Sequence, residues 1–412
     1  MSVKLYLDKA VYILVFLVTF SLPFDYNYNN WVLGVLYSVS IILIVLNRKK
    51  VEINNGELLY ILLISGFFLL TFFGIFYSEN IDKATALLVR TLPMCLTPFV
   101  FFSIPEFYVK YTKSLCSGLV FGCLLAVILC WSNVIVQMLI NNEPFSYLFR
   151  WRHLNHQLTG VIGIHPTYLA LFVVTSIVIL IYNINLGIDK KEKYASKILI
   201  LIFSLFLFAL LARTILSFYI FSVFLFFVIK RKTKILFYSL LFITMSIVVV
   251  FSIKDENNYL RNKLFNDLPV LGSENRQDLR FNRLQATKYM FLEHPFFGVG
   301  TGDTQEYRQK HYLEQNDTVA YKRKFNAHNQ FFEYLDSFGV LGGGFYLFFF
   351  TFLLIKTIKQ KDYAMCYILI LFFVANLTES MLVRTHGVVY YSLAFSLLCM
   401  KNYHTEGLNK TL

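Results

Sequence analysis

Residues 198–229 read ILILIFSLFLFALLARTILSFYIFSVFLFFVI, with KKEKYASK before them at 190–197 and KRKTK after them at 230–234. As one helix this run would be about 48 Å long, against a hydrocarbon core of about 30 Å. A single span would also put one of the two lysine clusters outside. A helical hairpin keeps both inside, as the positive-inside rule demands. The reading therefore predicts two helices with a tip at Ala212-Arg213-Thr214. Arg213, the only charge in the run, then lies at the outer face of a membrane.

The rest of the chain follows the same grammar. Of 412 residues, 57% are hydrophobic and only 15% charged, where a soluble domain carries roughly 25% charged residues. Further apolar runs near 10–24, 31–47, 57–77, 83–103, 115–140, 166–183, 235–253, 330–355, 363–378 and 387–400 bring the total to about twelve helices, each near the ~20 residues that a bilayer requires. The expected class is an all-α polytopic membrane protein. Its expected organisation is nine spans over 1–253, a long helical periplasmic loop over 254–329, and three spans with a cytoplasmic tail over 330–412. With both termini inside, roughly 20 cations fall in the inner loops against about 5 in the short outer ones. The net charge of +13 thus reflects topology and does not call for nucleic acid. The first apolar run lacks a small-residue cleavage site and reads as a permanent span. The six cysteines lie in or beside apolar segments without a CxxC pair, which argues against a disulfide framework or a thiolate metal site.

Unusual polar residues collect on the predicted outer side. Arg276, Arg280 and Arg283 fall at i, i+4 and i+7, so a helix presents them as one basic stripe. The turn HPFFGVGTG (294–302) ends that helix. Asn326 is the expected cap of the apolar run that His328 opens. At a helix N-terminus the macrodipole disfavours an imidazolium, and a neutral imidazole is what a general base needs. Asn329 is placed to orient it, with His165, Glu379 and Arg384 as supporting candidates. Each has a plainer reading: a snorkelling Arg213, the solvated face of a surface helix, a histidine satisfied by a backbone carbonyl. Arg90, inside the 83–103 run, either reaches the same site or pairs within the bundle. Gly298, Gly300 and Gly302 form GxGxG with no GK[ST] or acidic partner downstream, and so read as a turn rather than a nucleotide loop. The histidines lack the spacing of a metal site, and none is expected.

Arg213 in LLARTILS, Arg280 followed fifteen residues later by Pro295 in EHPFFGVGTG, then NAHNQFFEYLDSFGVLGG (326–343) and NLTES (376–380) resemble the O-antigen ligase and polymerase superfamily of bacterial membrane proteins. The resemblance covers roughly residues 145–390. Leu284 departs from it, standing where many members carry tryptophan. It implies a GT-C-type helical fold in the bacterial inner membrane, with no metal or other cofactor. It also implies transfer of a glycan from undecaprenyl diphosphate to an acceptor hydroxyl, such as a lipid A-core sugar, on the periplasmic face. On that resemblance Arg213 and Arg280 hold the diphosphate, with Arg276 and Arg283 beside them, and His328 activates the acceptor for inverting displacement. Ligase, polymerase and protein O-oligosaccharyltransferase share these motifs. The rival from another class is a transporter or flippase for lipid-linked glycans. It calls for ionisable residues along a path through the membrane, whereas here all but Arg90 gather at one face.

Overall fold

The computed structural model describes residues 2–47, 53–104, 106–186, 189–229, 231 and 279–410. Among them every regular element is helical. Seven helices are long and apolar enough to cross a membrane, and shorter apolar helices accompany them. The protein is a polytopic membrane protein, all-helical over the described residues. The run expected at 235–253 lies outside the described residues, as does the 253/254 boundary of the expected loop. The chain falls into two units, each described by itself. One is drawn from Met1–Val18, Asn30–Leu115 and Glu274–Leu412, the other from Thr19–Asn29 and Cys116–Ser273.

In the second unit the decisive run is a hairpin. Counting the described helices in order, α9 (Lys190–Leu210) ends at Leu211 in the left-handed region (φ 50°, ψ 30°), and α10 (Arg213–Ile229) starts two residues later. No glycine or proline marks the break, and a left-handed leucine costs roughly 1–2 kcal/mol. A side chain helps hold it: the Asn155 amide of α7 (Asn155–Thr159) donates to the Leu210 carbonyl at 2.9 Å. A helix end leaves such carbonyls without an intrahelical partner.

In the first unit the core centres on Phe67 of α3 (Asn55–Ile75). Its ring stacks on Tyr334 at 5.1 Å and meets the edges of Phe345, Phe349 and Tyr391. Tyr334, Phe345 and Phe349 belong to α14 (Gln330–Lys359), and Tyr391 to α16 (Thr385–Lys410). Offset and edge-on aromatic contacts of this kind add to the area they bury. The span expected at 83–103 is found at Ile81–Ser103, built from two consecutive helices, α4 (Ile81–Thr91) and α5 (Pro93–Ser103). Pro93, in the first turn of α5, has no N–H to continue the ladder.

The turn 294–302 does more than end a helix. Inside α14, Gly339 adopts φ 61°, ψ −149° and breaks the helix. The carbonyls of Asp336 and Ser337 accept instead from Val299 and Gly300 N–H, both at 3.0 Å, and the Val340 N–H donates to the Pro295 carbonyl at 2.8 Å. Backbone groups freed in a membrane helix need partners, and this segment supplies them. A Cβ on Gly298 would sit 2.3 Å from the Ser337 carbonyl carbon, and one on Gly339 would sit 2.5 Å from Phe296 backbone atoms. Gly339→Ala is therefore expected to cost about 1–3 kcal/mol from backbone conformation alone. Thermal melting in detergent would read this as a clear drop in midpoint, and an unchanged midpoint would contradict it.

One end of this unit gathers the turn after α3, the 295–303 segment and the start of α14. Tyr77 Oη donates to the Phe297 carbonyl, and Asp303 accepts from the N–H groups of Glu79 and Asn80. Asn329 Nδ2 reaches the Leu377 carbonyl beyond α15 (Tyr363–Asn376). At the opposite end Asn54 bonds Tyr403, Gln360 bonds the Asn402 carbonyl, and Lys401 pairs with Asp362.

Candidate active site

His328 lies in the link between α13 (Thr318–Arg323) and α14. Its backbone is left-handed at φ 50°, a conformation uncommon outside glycine. The Asn326 side chain stabilises this turn by accepting the His328 N–H at 3.0 Å. The cap of α14 is Asn329, whose Oδ1 accepts from Phe332 N at 3.2 Å. Asn326 is thus not the cap, because the helix begins only after His328 has turned the chain. Asn329 is spent on this cap and on Leu377.

The orienting partner of His328 is Glu379, with Nδ1 and Oε2 3.2 Å apart. The ring also meets Phe325, centroids 5.4 Å apart and nearly perpendicular, and Arg283 lies over the same Phe325 ring at 4.5 Å. Arg283, Phe325, His328 and Glu379 are therefore linked by successive contacts. Arg283 belongs to α11 (Leu279–Glu293). Arg280 lies in the first turn of that helix with its side chain outside the described residues, and Arg276 is outside them altogether. Arg384, exposed, opens the turn into α16, while Arg90 of α4 donates to the Val383 carbonyl at 2.9 Å. That places Arg90 beside the 377–384 turn.

Arg213 and His165 belong to the second unit. Arg213 is the half-buried first residue of α10. His165 caps α8 (Pro166–Asn185), its Nδ1 accepting from Thr167 N at 3.2 Å, and its ring meets the edge of His156 at 4.5 Å. That bond gives His165 a structural duty.

Sequence reasoning missed Arg308, on α12 (Thr304–Glu314). It is 0% exposed; its Nη2 and Nε reach Asp336 Oδ2 at 2.6 and 3.2 Å, and its Nη1 reaches Glu333 Oε1 at 3.2 Å. Burial works against a charged guanidinium, but the Glu333 and Asp336 carboxylates outweigh it and raise the Arg308 pKa above its ordinary value. A signal was present: Glu333 and Asp336 stand at i and i+3 in an otherwise apolar helix, where two acids on one face need a cation. Among the described residues no group of three or more His, Cys, Asp or Glu side chains converges to hold a metal ion.

A helical membrane protein with a histidine–carboxylate pair and an arginine at one end of a bundle has the parts of a transferase acting on an anionic substrate. Residues 198–347 match the family model described as O-antigen ligase, so the likeness to that superfamily is shown over this stretch. The match takes in the hairpin, Arg276, Arg280 and Arg283, the HPFFGVGTG turn, Arg308, His328 and the break at Gly339. It supports a function of the O-antigen ligase or polymerase type. No curated protein matches the chain.

Proposed function

We propose that the chain is an inverting glycosyltransferase that moves a glycan from undecaprenyl diphosphate to an acceptor hydroxyl at the periplasmic face of the inner membrane. The observation that carries this reading is the His328–Glu379 bond at 3.2 Å. A carboxylate accepting the Nδ1 proton fixes the tautomer that leaves the Nε2 lone pair free. Nε2 takes the proton of the acceptor hydroxyl as the oxygen attacks the anomeric carbon. The bond from that carbon to the diphosphate breaks on the opposite side, inverting the centre. Negative charge grows on the departing diphosphate, and guanidinium groups match its oxygens bidentately. On the resemblance, Arg213 and Arg280 are assigned that role, with Arg276 and Arg283 as further candidates and no metal taking part.

Within this reading we favour a ligase with a lipid A-core acceptor, because the matched family model is that of O-antigen ligases. The test is to delete the protein and resolve surface glycans on a gel. A ligase predicts loss of all long chains from the core; single repeat units left on the core would indicate a polymerase instead. An unchanged pattern would remove both readings. Complementation with Glu379→Gln should restore at most about a tenth of wild-type attachment, since an amide does not enforce the tautomer that a carboxylate does.

A further inference from the structure

One carboxylate anchors both halves of the His328–Glu379 pair. Glu333 Oε2 accepts the Ala327 N–H at 3.0 Å and the Ser380 hydroxyl at 3.1 Å. Ala327 directly precedes His328, and Ser380 directly follows Glu379. The other oxygen, Oε1, takes Arg308 Nη1. Glu333 is only 6% exposed and sits in the first turn of α14, on a rigid element rather than on either of the two links it joins. Nearby, Gln330 Oε1 accepts the Leu382 N–H at 2.6 Å, a second stitch between the same helix and the same turn. A site of this kind holds its geometry only when supporting groups lock the reacting side chains.

We propose that Glu333, gripped by Arg308, is the positioning residue that sets the distance and orientation between His328 and Glu379. Its catalytic consequence rests on the reading of His328 as the base; its structural content does not. An amide in its place offers one acceptor oxygen and two N–H donors. With Gln at 333, either Arg308 or the Ala327–Ser380 pair must face a donor, and the two links lose their common anchor. Glu379 then ceases to hold Nδ1, and Nε2 becomes a poorer nucleophile.

The reactivity of the His328 ring reads this directly. The purified full-length chain in detergent is treated with diethyl pyrocarbonate, and labelling of His328 is followed by peptide mass spectrometry, with His165 as internal reference. Glu333→Gln is expected to slow His328 labelling at least about threefold relative to His165. Glu379→Gln should slow it by a similar factor. Because both act through one bond, the double variant should be no slower than the worse of the two. Wild-type labelling in Glu333→Gln, or effects that multiply in the double variant, would overturn the proposal. Should Glu333→Gln fail to fold, Ser380→Ala removes a single leg of the anchor. It is expected to slow labelling about twofold, and an unchanged rate in that variant would be equally fatal. Labelling needs no glycan, so a chain that labels as expected yet transfers nothing would sink the proposed function and leave this inference standing.

Discussion

Replacing His328 with alanine is expected to lower glycan transfer by about 10²- to 10⁴-fold, the usual contribution of a positioned general base. The chain should stay in the membrane at near wild-type abundance. His328 has φ 50°, and alanine there carries a left-handed penalty of roughly 1–2 kcal/mol. His328→Asn separates the two effects, because asparagine tolerates that backbone but supplies no base. Both variants should be equally inactive on a surface-glycan gel, with immunoblotting as the control for abundance. Wild-type glycan in either would remove His328 from the chemistry.

Arg308→Leu is expected to cost about 3–5 kcal/mol, the scale on which breaking a buried ion pair destabilises a fold. Glu333 is 6% and Asp336 1% exposed, so their charge has no water to fall back on. Thr287 Oγ1 donates to Asp336 Oδ2, but one hydroxyl does not replace a guanidinium. Size-exclusion profiles and thermal melting in detergent should show little folded chain. The neutral combination of Arg308→Met, Glu333→Gln and Asp336→Asn should recover much of the loss, since no unpaired charge is left. A stable Arg308→Leu single variant would mean that the triad adds nothing to the fold.

What the sequence made legible follows from how local each signal was. The hairpin was written in the length of one apolar run and the lysines at both its ends, and the chain turns at Leu211, beside the expected tip. His328 and Glu379 were legible as residue types at the ends of apolar runs, but their bond spans 51 residues and left no periodic trace. The break at Gly339 was hidden because FGVLGGG reads as ordinary membrane helix. Its partners, Pro295 to Gly300, are supplied from about forty residues away. Arg308 was hidden for the opposite reason. TQEYRQKHYLE reads as a solvated surface helix, and only tertiary packing buries the arginine within it. Asn326 reads as the cap and Asn329 as the residue orienting His328, but the left-handed turn at His328 moves the cap three residues on, to Asn329.

The most direct test is to incubate the purified chain with an undecaprenyl-diphosphate-linked glycan and an acceptor glycan, and to measure free undecaprenyl diphosphate by chromatography. The account predicts release that depends on the acceptor and disappears in His328→Ala and in Arg213→Ala. Release by His328→Ala at the wild-type rate, or none from the wild-type chain with any acceptor offered, would contradict it.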